Sequence, residues 1–125
     1  MKIAVLVARI LLGLMFVVFG LNGFLNFMHM PMPTGVAGQY VGALFVSHYL
    51  AVVLIVEVVG GVLLLSGQFV ALALVLLGPV IFNILLFHST MAPSGLPPAL
   101  VAAVLWFVIF AGHRQAFAGI FSQKG

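Results

Sequence analysis

Residues 3–27 read IAVLVARILLGLMFVVFGLNGFLNF, an apolar run interrupted only by Arg9, Asn22 and Asn26. About 20 apolar residues carry a helix across the hydrocarbon core of a bilayer, so this stretch by itself reads as a complete span. It stops at Met28-His29-Met30-Pro31-Met32-Pro33, where two prolines cannot continue a helix. Met1-Lys2 ahead of the run imitates a secretory signal. The run outlasts a typical signal h-region and no small-residue cleavage site follows it, so it is expected to remain as an uncleaved first span.

The rest of the chain repeats the theme three times. Residues 47–65 form the second expected span, with Glu57 inside it, and residues 69–87 the third, with Gly78-Pro79 and Asn83. Ser66-Gly67-Gln68 joins these two by a tight turn. The fourth covers residues 98–112, with Pro98 suited to a first helical turn and His113 and Arg114 closing it. Gly35, Gly38 and Gly42 make residues 35–45 too polar and glycine-rich to span, so a loop with a short interfacial helix is expected there. Phe117, Ile120 and Phe121 in the tail suit a helix lying along the membrane surface. The expected fold is one all-α membrane domain over residues 1–125, a bundle of four transmembrane helices.

Composition demands the same solvent. The chain is 66% hydrophobic and 4% charged, with mean hydropathy +1.44, whereas a soluble domain carries about a quarter charged residues to cover its surface. Lipid is therefore its bulk partner. The absence of cysteine excludes disulfides, thiolate metal sites and thiol–disulfide exchange. Net charge is +3, from Lys2, Arg9, Arg114 and Lys124 against the single acid Glu57. These cations sit near the two ends of the chain, which makes them topology signals rather than a nucleic-acid surface. An even number of spans puts both termini on one side, the cytoplasmic one, and residues 28–46 and 88–97, which lack Lys and Arg, outside.

A charge within a bilayer is costly and ordinarily finds a partner in the bundle. Counted from residue 3, Arg9 lies roughly 9 Å deep; counted from residue 65 on the antiparallel second span, Glu57 lies roughly 12 Å deep. An Arg9–Glu57 pair is expected on that arithmetic. Gly13 and Gly20 follow Arg9 on one stripe, and Gly60 and Gly61 follow Glu57 on another, so that helices approach closely there. A salt bridge fixing helix register is the simpler role of the pair. The sharper one makes Glu57 a proton-carrying or ligand-binding group.

Asn22, Asn26, Asn83 and His88 fall towards the outer ends of their spans and form a candidate polar pocket, against the plainer reading of interhelical hydrogen bonding by asparagines. Met28, His29, Met30 and Met32, with Met91 in the other external loop, offer thioether and imidazole ligands of the kind Cu(I) accepts. Methionine is also ordinary interfacial filler, and that reading takes precedence over a metal site. Haem needs two facing histidines at one depth; His29 and His88, the available pair, both lie at helix ends, which argues against it.

Residues 8–16 (ARILLGLMF), continuing through Phe19-Gly20-Leu21-Asn22-Gly23-Phe24, together with residues 57–65 (EVVGGVLLL), resemble the DoxX family of small bacterial and archaeal membrane proteins. Residues 78–88 (GPVIFNILLFH) are similar to its DoxX-like branch. The resemblance extends over nearly the whole chain. It implies a four-helix protein of the bacterial cytoplasmic membrane, linked to quinone-dependent redox complexes. Many members carry a lysine soon after the glycine that follows the first-span phenylalanine, the region in which Asn22 stands here. The function so implied is an accessory or quinone-associated subunit of a membrane redox complex, at most an oxidoreductase subunit, with a membrane or peripheral redox partner. Alternatives from other classes are a proton-coupled transporter or small-ligand binder using Glu57, and a non-catalytic assembly protein. A bundle this small is expected to complete its packing by homo-oligomerising.

Overall fold

The computed structural model describes residues 2–28 and 32–120. Their regular structure is all helical, without a strand among them: α1 (Lys2–Leu25), α2 (Gly35–Val46), α3 (Tyr49–Ser66), α4 (Val70–Thr90) and α5 (Leu96–His113), with 3₁₀ turns at Pro93–Gly95 and Arg114–Phe117. Four helical stretches are long and apolar enough to cross a membrane, and α2, at 12 residues, is too short.

Local chemistry sets the helix ends. α1 stops at Leu25 because Asn26 turns left-handed (φ 51°), its N–H still reaching Asn22 O at 2.7 Å. The Asn22 side chain then accepts from the Met28 N–H at 2.6 Å, which uses a side chain to cap the unwinding backbone. α3 lies between two left-handed residues, His48 (φ 66°) and Gly67 (φ 75°). At its end Ser66 Oγ donates to Leu63 O and accepts from the Gln68 N–H, so the tight turn is held by its own serine. α5 opens with Pro97 and Pro98 in its first turn, where the missing N–H groups would have had no partner.

The helices run alternately up and down. α1 packs against α3 and α5, and α4 packs against the same two, so α1 and α4 stand at opposite corners. Leu12, Leu64, Leu74, Leu77 and Ile109 are completely buried between them, with Ala8, Ala73 and Ala102 letting the helices close. The outward faces are apolar along their length, from Ile3 and Leu14 on α1 to Val52 and Ile55 on α3 and Val104 and Phe107 on α5. Hydrophobic side chains inside and out are what a bundle in lipid requires. In the tail, Phe121 lies outside the described residues. The 3₁₀ turn Arg114–Phe117 ends with Phe117 packed 5.1 Å from the ring of Phe110, which joins that aromatic to the edge of the core.

Candidate functional site

The register of α1 on α3 can be read from their glycines. A Cβ on Gly13 would stand 2.9 Å from Leu65 Cγ and 3.0 Å from Gly61 O. One on Gly20 would stand 3.4 Å from Glu57 Cβ and 2.7 Å from Val58 Cγ2. A Cβ on Gly61 would in turn stand 2.8 Å from Gly13 O and 3.0 Å from Val17 N. These three glycines bring two backbones together. Gly60 serves a different seam, with Leu77 Cγ of α4 2.6 Å from where its Cβ would be.

This register overturns the Arg9–Glu57 pair. Glu57 is level with Gly20, eleven residues beyond Arg9 and so roughly 16 Å along the helix. No ion pair joins the two. The depth count had assumed that residues 3 and 65 are level, whereas Gly13 is the residue facing the 61–65 segment. The first turns of α1 therefore overhang the end of α3. Arg9 reaches that end: its guanidinium lies against Gly67, with Cζ 3.1 Å from where a Cβ would be. A cation beside the last carbonyls of a helix is favoured by the helix dipole.

The overhang creates a cleft. Lys2, Val5, Leu6 and Arg9 of α1 and Gly112 and His113 of α5 line a space of about 330 Å³. Gly112 closes its wall, since a Cβ there would meet Val5 Cγ2 at 2.6 Å. His113 Nδ1 donates to Ile109 O at 3.0 Å, which orients the ring and leaves Nε2 as its free nitrogen. Arg9 Nε is buried with no hydrogen-bond partner. Cationic groups and apolar walls thus share one small space, and the chain's only acid is far along the bundle. Such a lining suits a ligand with oxygen acceptors at one end and hydrocarbon at the other.

The polar residues of the other end do not form one pocket. Asn22 is buried and bonded to Met28, Asn26 is exposed beyond the helix, and His88 Nδ1 donates to Ala92 O at 3.0 Å while its ring lies against Gly95. Asn83 is exposed on the outer side of α4, because the inward line of that helix runs through Leu77, Ile81 and Ile84. Tyr40 of α2 stacks on Phe87 at 5.5 Å, closing the helix over the α3–α4 edge. His29 and Met30 lie outside the described residues, and among the described ones no three His, Asp or Glu side chains gather as a metal set.

No protein-family model, curated protein or solved structure matches this chain.

Proposed function

We propose that this chain is a multi-pass subunit of the bacterial cytoplasmic membrane that binds the head of a quinone-like amphiphile at its cation-bearing end and serves a membrane redox complex as an accessory. The observation that carries the reading is the cleft in which Lys2, Arg9 and His113 meet Val5, Leu6 and Gly112. Arg9 supplies donors to a carbonyl oxygen, and the free Nε2 of His113 accepts from a hydroxyl of the reduced form. The apolar wall faces the lipid through which an isoprenoid tail would enter. The likeness of residues 8–16 and 57–65 to the DoxX family supports the redox setting. Lys2, Arg9 and Arg114 lie at this end of the bundle, and the positive-inside rule supports a cytoplasmic position for the cleft.

Titrating purified protein in micelles with a short-chain quinone tests this. Saturable binding weakened about tenfold or more by Arg9→Gln, and partly kept by Arg9→Lys, is expected. Binding indifferent to both substitutions would remove the proposal's basis.

A second reading rests on Glu57, a half-buried acid facing Gly20 with no ion-pair partner among the described residues. A proton-coupled carrier would use such a group. Proteoliposome flux that is abolished by Glu57→Gln but kept in Arg9→Gln would favour it over the cleft.

A further inference from the structure

The outward faces of α1, α3 and α5 carry no polar side chain within their middle turns, but that of α4 carries Asn83. Asn83 lies 13 residues from Val70 and 7 from Thr90, roughly 5 Å from the helix midpoint. It is exposed and makes no hydrogen bond among the described residues. Its neighbours on that face are Leu72 and Leu86, each about half exposed, and Pro79 one turn below. Pro79 provides no N–H for the Val75 carbonyl, which loses its usual helical donor. Ser89 and Thr90, nearer the helix end, bond back to Leu85 O and Leu86 O. Asn83 does not.

A carboxamide in hydrocarbon has neither water nor a backbone group to turn to, and interhelical hydrogen bonding is how membrane helices satisfy one. We infer that this face is the contact between two copies of the chain, with Asn83 of each copy bonded to Asn83 of the other. The occupant follows from symmetry and chemistry. A two-fold axis along the membrane normal sets α4 beside its copy with residue 83 level with residue 83, and a carboxamide both donates and accepts, so it complements itself. No charged group lies on the face to select a partner of different chemistry. Leu72, Leu76, Pro79, Asn83 and Leu86 alternate by four and three residues, the spacing of a left-handed helix pair, so the amide lies on the seam itself. The inference rests on the membrane-spanning reading but not on the cleft.

The absence of cysteine makes the test direct. Single cysteines at Leu72→Cys or Leu86→Cys, with Asn83 kept, should give disulfide-linked dimers in the membrane. Val59→Cys on α3 and Val104→Cys on α5, both exposed, should not. Adding Asn83→Leu should lower dimer yield at limiting protein-to-lipid ratio by about tenfold, and Asn83→Gln should restore much of it. Equal cross-linking from all three faces, none from α4, or indifference to Asn83→Leu would overturn the dimer. Cross-linking from α4 to a different protein would overturn it too. Carbonate extraction of each variant separates this from the membrane reading, since a monomer that stays in the membrane contradicts the dimer alone.

Discussion

Arg9 rests against Gly67, the left-handed glycine that ends α3, and not against Glu57. The glycine does two things at once. It turns the chain with φ 75° towards α4, and by lacking a Cβ it leaves the space in which the guanidinium lies. The seat of the Arg9 guanidinium and the α3–α4 turn therefore depend on one residue.

Gly67→Ala is accordingly expected to cost stability and to move Arg9 together. The left-handed conformation alone costs an alanine roughly 1–2 kcal/mol, and the methyl would occupy the guanidinium's place. Thermal unfolding in micelles should shift down, and quinone binding should weaken alongside. Unchanged binding would place Arg9 elsewhere.

Arg9→Gln and Glu57→Gln should act independently. Groups this far apart along the bundle couple by less than about 0.5 kcal/mol, whereas breaking a buried ion pair costs roughly 3–5 kcal/mol. A double-mutant cycle on unfolding in detergent distinguishes the two. Strong coupling would restore the pair.

Two adjacent glycines should differ in what alanine does. Gly61 faces backbone, its Cβ position 2.8 Å from Gly13 O and 3.0 Å from Val17 N, so a methyl there must push α1 and α3 apart. Gly60 faces the branched end of Leu77, which has rotamers to yield. Both are overpacking changes of about 1–3 kcal/mol, with Gly61→Ala the larger. Leu77→Ala alone should cost about 2–5 kcal/mol, and less than the sum when joined to Gly60→Ala, because the added methyl fills part of the cavity.

Trp106 anchors α5 to α4 by donating from Nε1 to Leu74 O at 3.0 Å, beside Gly78, whose Cβ position is 3.5 Å from the indole. Trp106→Phe keeps most of the packing and loses the bond. A loss of about 1 kcal/mol in unfolding free energy is expected. No loss would mean that the indole N–H contributes nothing net.

The helices were legible because apolar length is a one-dimensional property: residues 3–27 announce a span without reference to any neighbour. The short α2 was legible for the opposite reason, since Gly35, Gly38 and Gly42 disqualify a span while leaving a helix. Register was not. It depends on which glycine of α1 meets which of α3, and Gly13, Gly20 and Gly23 are all candidates until Gly61 is seen to take Gly13. Counting depth from the ends hid the overhang and paired Arg9 with the wrong residue. The outer pocket failed on angle, because Asn83 lies two residues past Ile81 and so faces nearly opposite to it. Lys2 and His113 read only as end markers until α1 and α5 were neighbours. Gly67 was the one available signal, a turn glycine next to a span end, and its second role needed three dimensions.

Native mass spectrometry of the protein released directly from membranes tests the central claim most closely. Wild-type protein should carry a quinone-mass adduct that Arg9→Gln loses and Glu57→Gln retains, with all three equally folded by circular dichroism. Wild-type protein released without such an adduct, or Arg9→Gln protein that keeps it, would contradict the assignment of the Lys2–Arg9–His113 cleft.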